Sequence, residues 1–572
     1  VGALAWLGPA FARSVDRELG TARTLEGTQY VGSSACQRCH PNHYESFHRT
    51  YHRTMTQEAN EASVLGRFDG TSLDYMGTRA TMQRGRDGDY WMTFSSIDGG
   101  TRRVRVERSV GSHRYQQYLG REGSTYFRLP IAWDVGEQRF IHMNGAFLTA
   151  DPQPLAADGG IAREDYDRHV TRWNDNCVFC HNVHPNPGLD SDTGEFSTSV
   201  AELGVACEAC HGPGAEHVAR NRDPVRRYWL HESARPDPTI RDPARMSATA
   251  SAQVCGRCHG QRITSDIARF EHDGDPFVPG DDLGHYSRPL ARDTRLNGEA
   301  GVFAARFWSD GTPRLTAYEY QGYLQSPCAR DSKFSCESCH AMHAGDPSGQ
   351  LRPDRAGDAI CTSCHRALAS PLMAAAHRKH DSALTCRQCH MPELVYGLVS
   401  VRLSHRIEIP APAKQAAQGR PDACTLCHVD RTRAWASGAR DTTPSEWSEQ
   451  AERLLAGDPI ERAVAAHALG SADAHYAASF EPRLIGLLVD AAQHDAYPAV
   501  RRIAVHALRD RLAHDHAGAA AALAGYCATD RATQREAALH RALQDVRFEL
   551  PDARLAATLR AESSKVAIEI GE

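Results

Sequence analysis

Eight short runs constrain what this chain can fold into: CQRCH at 36–40, CVFCH at 177–181, CEACH at 207–211, CGRCH at 255–259, CESCH at 336–340, CTSCH at 361–365, CRQCH at 386–390 and CTLCH at 424–428. They take sixteen of the eighteen cysteines, where chance at these Cys and His frequencies gives on the order of 0.03 copies. The spacing has a chemical reason. Two thiols three residues apart reach the two vinyl groups of one porphyrin and form thioethers, and the next histidine is then set to ligate the iron from the proximal side. Each run is therefore a c-type haem attachment site, and the cofactor set is eight covalently bound haem c. The thioether sulfurs come from Cys36, Cys39, Cys177, Cys180, Cys207, Cys210, Cys255, Cys258, Cys336, Cys339, Cys361, Cys364, Cys386, Cys389, Cys424 and Cys427. The proximal iron ligands are His40, His181, His211, His259, His340, His365, His390 and His428. Zinc sites pair two C-x-x-C motifs and do not need histidine after every second cysteine, and a thioredoxin-like motif would occur once. Cys328 and Cys527 are left over and read as buried free thiols.

What fills the sixth position of each iron separates a wire from a catalyst, because paired histidines close the metal and an open position admits a substrate. Of 30 histidines, fifteen non-proximal ones lie between 36 and 428, enough to close every site. His43, His48, His184, His231 and His272 belong to this pool, and the distal candidates carried forward are His52, His113, His142, His169, His217, His285, His343, His377, His380 and His405. His343 in "CHAMH" sits three residues past a proximal histidine, where a turn anchored by one haem offers a ligand to its neighbour. The Gly-Pro-Gly turn of "CEACHGPGAEHVA" reverses the chain before His217. His52, twelve residues past His40 on an expected helix, reaches away from its own haem toward another. Met143 and Met391 are the weaker axial alternatives.

The chain divides by texture. Residues 1–29 open with "VGALAWLGPAFARS", which reads as a signal-peptide remnant and linker with an Ala10-Phe11-Ala12 cleavage pattern, too short to span a bilayer. Residues 30–440 form the octahaem region. Within it, 62–150 holds alternating runs such as "DYWMTFSS" and "STYFRLPIAW", divided by Gly-rich turns, and reads as a small antiparallel β insertion. From 177 to 428 seven motifs crowd between Pro-rich and Gly-rich connections, so the porphyrins supply much of the apolar core. Residues 446–572 turn to Ala, Leu and Arg at helical period. There "DPIERAVAAHALG", "YPAVRRIAVHALRD" and "RATQREAALHRAL" align with His467, His506 and His540 in equivalent places, as in a HEAT-like α-solenoid. These histidines lie far from any motif in sequence and read as repeat packing or surface. The expected fold is mainly α with an irregular haem-packed core, the β insertion and the solenoid. Net charge of −6 and a pI near 6.6 argue against nucleic-acid binding. Of 65 basic residues 61 are arginines, whose planar forks are expected to hold haem propionates as well as reflecting codon usage.

"YVGSSACQRCH", "GSHRYQQYL", "RLPIAWD", "CEACHGPGAEH", "DGTPRLTAYEYQGYLQSPC", "SCESCHAMHAGDP" and "RPDACTLCHVDRTRAW" resemble the multihaem cytochromes c of the cytochrome c-552/554 type that carry C-terminal TPR or HEAT repeats. The resemblance covers nearly all of 30–440. It implies an exported, periplasmic or extracellular electron-transfer protein with closely stacked, mostly bis-His haems, related in haem arrangement to octahaem hydroxylamine oxidoreductases and to nitrite and tetrathionate reductases. By position it points to His52, His113, His217 and His343 as distal ligands, although His48 and Tyr51 depart from the His-His pair of the first helix. No C-x-x-C-K occurs, which excludes the lysine-ligated haem of pentahaem nitrite reductases. The first expectation is an octahaem carrier between redox partner proteins, with the helical repeats as a docking surface. The second is a reductase of a small nitrogen or sulfur oxyanion, with an open haem beside His285, Tyr286 or Arg288 in "GHYSRP". The third is a cytochrome that self-associates into an extracellular filament or joins a membrane complex.

Overall fold

The structure is a computed structural model that describes residues 29–514, apart from 97–98, 149–165, 234, 265, 332, 379, 381–383 and 439–446. The N-terminal remnant, Cys527, His540 and the third helical repeat lie outside these residues.

Strands run from Gln57 to His142 in two antiparallel sheets. One is a meander of four strands, Asp69–Tyr75, Thr78–Arg84, Tyr90–Ser96 and Thr101–Arg105. Its first hairpin turns on Met76 and Gly77, both at positive φ, the left-handed pair that matches strand twist. Tyr90, Met92 and Phe94 point inward and alternate with more exposed residues, and they join Leu73, Met82, Leu129, Ile131 and Phe140 in one core. The other sheet has six strands. Its Ile131–Asp134 and Arg139–His142 strands are buried at every residue because both faces are covered. A mainly-α description therefore understates this region, whose β-branched and aromatic alternation spans ten strands.

The haem-motif region is built from helices of at most ten residues, 3-10 turns and two-stranded ribbons. Its extended backbone is tied down by local caps, as where Thr385 and Gln388 form a capping box on Cys386–His390.

Two helix pairs follow: Glu449–Ala456 with Pro459–Gly470, and Glu481–His494 with Pro498–His514. Asp458 caps Pro459–Gly470, accepting from Ile460 and Glu461 N–H. Gly470 is required where that helix meets Pro498–His514, since a Cβ there would come within 2.2 Å of Ala507. These helices do not stand apart. Ile460, Val464, Leu484, Leu488, Val500 and Leu508 share a core with Leu394, Tyr396 and Val401 of the hairpin Glu393–Gly397/Ser400–Leu403. His467 Nε2 meets Glu393 at 2.8 Å, and His506 Nε2 meets Glu137 at 2.5 Å. Both histidines expected to be repeat packing or surface are thus contacts to the rest of the chain. Buried Arg502 completes the clasp by pairing with Asp134 and Glu137.

Candidate functional site

A C-x-x-C-H run closes one helical turn, and residues i, i+3 and i+4 of a turn lie side by side. The His40, His259, His340, His365 and His428 N–H groups each donate to the carbonyl of the first cysteine of their run, at 2.7–3.0 Å. Cys207–His211 and Cys386–His390 are themselves short helices. Both thiols and the imidazole are presented on one side, as thioether attachment and proximal ligation require. Cys328, one of the two left-over cysteines, is a half-buried free thiol.

The second observation is long-range. Two imidazoles on opposite faces of one iron, each bonded at about 2 Å, place their ring centres about 6 Å apart. Six motif histidines face a second histidine at that spacing. The pairs are His40–His217 at 6.3 Å, His211–His343 at 6.2 Å, His259–His52 at 5.9 Å, His340–His405 at 6.4 Å, His390–His377 at 6.0 Å and His428–His380 at 6.3 Å. The residues present therefore fit bis-imidazole iron at six of the eight runs.

Each facing ring is delivered by identifiable ties. Glu208, inside the third motif, is buried; its carboxylate accepts from Val31 and Gly32 N–H ahead of the first motif and from Gly214 N–H at 2.7 Å. One side chain thus holds the first motif against the Gly-Pro-Gly turn, whose Gly212 has φ +74, and helix Ala215–Arg220 then brings His217 to His40. His52 lies past the end of helix Pro41–His48, not on it. Its carbonyl accepts from Val205 N–H at 3.1 Å and Arg53 pairs with Glu202 at 3.0 Å, which carries the ring across to His259.

On the side away from these contacts, the Nδ1 atoms of His211, His340 and His390 donate to the Arg241, Gly349 and Glu408 carbonyls at 2.7–2.9 Å. This leaves Nε2 as the metal-binding nitrogen. His259 differs: Glu319 Oε2 lies 3.7 Å from its Nδ1. Burial alone would lower its pKa, yet Glu319 lifts it to about 9. Burial pushes His52 down to about 4, keeping the facing imidazole neutral, the ligand form.

Thiols of different motifs lie near one another, Cys36 by Cys207, Cys180 by Cys258, Cys255 by Cys336 and Cys361 by Cys386, and raise or lower one another's pKa.

Four distal candidates lie elsewhere. His142 is fully buried in the sheet region, its ring between Tyr75 and Tyr166 and its Nδ1 accepting from Asn144 N–H. His113 stacks on Tyr51 at 4.0 Å. His169 lies by Phe147, its carbonyl held by Arg128. His285 is exposed beside Asp282 at 3.8 Å. Among the described residues none of these rings lies against a motif histidine. The expected pocket in "GHYSRP" does not form either, because Tyr286 donates to Asp281 at 2.9 Å and Arg288 is an exposed strand residue. Nor do the most buried arginines await propionates: Arg257, Arg420, Arg453 and Arg502 hold this chain's own carboxylates.

Sequence reasoning passed over His475. It lies in the loop after Pro459–Gly470, with its ring 5.7 Å from His428; its N–H donates to Cys427 and its carbonyl accepts from Val429. His475 lies beyond the last motif, in a stretch whose helical period marks it as a separate domain.

The second motif is entered by a π-helical turn, Trp173–Cys177, a form often found at functional sites. His181 is enclosed with the Met55 backbone beside its ring, and burial lowers its pKa to about 4 against that contact. Arg128 acts on both His181 and Cys177, and buried Tyr115, whose hydroxyl accepts from Gln117 at 2.7 Å, is influenced by Arg128 and Cys177.

Residues 326–370 match the doubled CXXCH motif family. The match takes in the fifth and sixth runs and supports covalently bound haem c in a multihaem c-type cytochrome. Among solved structures, the chain is similar to the crystal structure of the outer cell wall cytochrome OcwA, at 17% identity and a TM-score of 0.45, over 87% of this chain and 98% of that one. No curated protein matches the chain. No described helix is long and apolar enough to cross a membrane.

Proposed function

We propose that the chain is an octahaem c-type cytochrome that passes electrons along mostly bis-His haems between redox partner proteins outside the cytoplasm. The observation that carries this reading is the set of six motif histidines facing a second imidazole at 5.9–6.4 Å. When bound, haem c supplies a one-electron Fe(III)/Fe(II) couple at each site. The polypeptide's part is to present two sulfurs and two imidazoles per site, to exclude water, and to bring thiols of different motifs near one another so that haem edges lie close. The helical region docks in this reading first onto its own chain, through His467, His506 and Arg502, and leaves other faces for partners.

A second reading is favoured at one place. At the second motif, His181 has no facing imidazole among the described residues, while Arg128, Tyr115 and His169 gather near Cys177. This suits an open iron and a small nitrogen or sulfur oxyanion held by the Arg128 guanidinium. The place differs from the "GHYSRP" segment expected from sequence.

Low-temperature EPR of the oxidised protein, with and without nitrite, hydroxylamine and sulfite, tests both. Haem content near eight with six low-spin bis-His signals supports the carrier. A high-spin iron that shifts with one of those ligands adds the enzymatic reading; no high-spin iron removes it. Fewer than six low-spin signals overturns the pairing.

A further inference from the structure

Three carboxylates inside this chain are gripped by paired arginines: Asp275 by Arg257 and Arg262 at 3.2 and 2.8 Å, Asp310 by Arg406 and Arg420 at 2.9 and 3.1 Å, and Glu449 by Arg433 and Arg453 at 2.7 and 2.5 Å. Glu319 is not. Its Oε2 is buried without a hydrogen-bond partner, and among the described ion pairs it meets only His259 Nδ1, at 3.7 Å. A buried carboxylate oxygen left unpaired is costly, and a small side-chain rotation brings this one to the Nδ1 proton.

The placement is rigid. Glu319 opens helix Glu319–Gln325, which is fastened to the fourth motif by Tyr320 N–H donating to the His259 carbonyl at 2.9 Å. A Cβ on Gly256 would strike the Tyr320 ring at 2.6 Å, so motif and helix pack in direct contact. The same helix lies on the segment that carries His405: a Cβ on Gly322 would come within 3.0 Å of the His405 backbone, and Ser326 Oγ donates to the Ile407 carbonyl at 3.2 Å.

We propose that Glu319 is a positioning residue that holds the Nδ1 proton of His259, strengthens that imidazole as an iron ligand, and makes the fourth-motif haem a low-potential site. This rests on the reading of His259 and His52 as the axial pair there. A carboxylate on Nδ1–H raises ligand basicity and favours the ferric charge, more so in a low dielectric. Neutral carbonyls at His211, His340 and His390 do this less. His217 also has a carboxylate, Asp237 at 3.2 Å, but Asp237 is already engaged by Arg226, Thr239 and Asn221.

The test is an EPR-monitored redox titration of the haem-loaded full chain. The His259 and His52 ring planes lie 75° apart, against 9–45° for the other five pairs; near-perpendicular imidazoles give a strongly anisotropic low-spin signal that marks this site. In Glu319→Gln the ferric-to-ferrous ratio of that signal at fixed potential is expected to fall about tenfold, a rise of about 59 mV, with the other signals in place. Glu319→Asp keeps the charge and is expected to shift it less, and Asp237→Asn is expected to give a smaller shift at the first motif. An unchanged potential in Glu319→Gln, with haem content and the marker signal retained, overturns the role of Glu319 while the axial pair stands. A fourth-motif peptide without haem by mass spectrometry overturns the axial reading, and the inference with it.

Discussion

Among the described residues six attachment motifs face a second imidazole, whereas the second and sixth do not, and those two are unlike each other. His181 is reached through a π-helical turn and lies near Arg128 and Tyr115, while His365 is exposed between the turns Ala359–Thr362 and Arg366–Ala369. The paired sites share a construction. A segment remote in sequence is pinned by backbone or carboxylate ties, as Glu208 pins 31–32 to Gly214 and Val205 pins His52, and the pinned segment then supplies the ring. At the second motif the ties run to the sheet region instead: Asn174 accepts from Tyr126 N–H at 2.7 Å and Arg128 holds the His169 carbonyl. Closing an iron thus depends on where a loop is anchored more than on the supply of histidines.

The sharpest way to break the contrast is to turn a paired site into an unpaired one. His405→Ala removes the ring facing His340, and one low-spin signal should become high-spin and bind cyanide. An unchanged EPR spectrum would mean that His340 draws its partner from elsewhere. A control outside both classes is Arg502→Met. Arg502 is 2% exposed and pairs with Asp134 and Glu137; Glu137 keeps Arg139 and His506, but leaving Asp134 buried without this ion pair should cost about 3–5 kcal/mol. Thermal unfolding should register the loss while the count of low-spin and high-spin irons stays constant; a new high-spin iron would show that the clasp helps hold the axial pairs.

The proximal set was legible because its chemistry fits within one helical turn, so five letters carry it. Strand runs such as 90–96 were legible through the alternation of Tyr90, Met92 and Phe94. Pairing was only half legible. The Gly-Pro-Gly turn and the "CHAMH" turn announced His217 and His343, but nothing near His52 names His259, and the tie that delivers His217 joins residues 177 positions apart. His142 and His285 lie away from the motif histidines, one in a sheet core and one exposed at the end of a 3-10 turn, and a histidine's letter does not reveal which way its side chain faces. His467 and His506 looked like repeat positions because their partners, Glu393 and Glu137, belong to distant segments.

Arg128→Leu addresses the second motif directly. Charge-assisted hydrogen bonds to an anion are worth about 1.5–3 kcal/mol, so nitrite or sulfite affinity at a high-spin iron should fall about 10–100-fold, read by optical titration, with the six low-spin signals unmoved. Equal affinity would place any anion site away from Arg128 and return the second motif to the class of simple carriers.

The smallest expected effect is at Glu208→Gln, and it probes the paired class from the opposite side. The carboxylate accepts three backbone N–H bonds from 31, 32 and 214. Burial raises its pKa while those donors pull it down. An amide of nearly the same shape keeps one acceptor oxygen and turns the other group into a donor facing N–H, so about 1–2 kcal/mol of local anchoring is lost. The first motif should feel this alone, because the loop that brings His217 to His40 is held there. Its low-spin signal should broaden or partly convert as temperature rises, while the signals of the His390–His377 and His428–His380 pairs, built on other segments, stay sharp. Uniform loss across all sites would mean that the pairs are held by a common core, and the account of each ring delivered by its own anchor would fall.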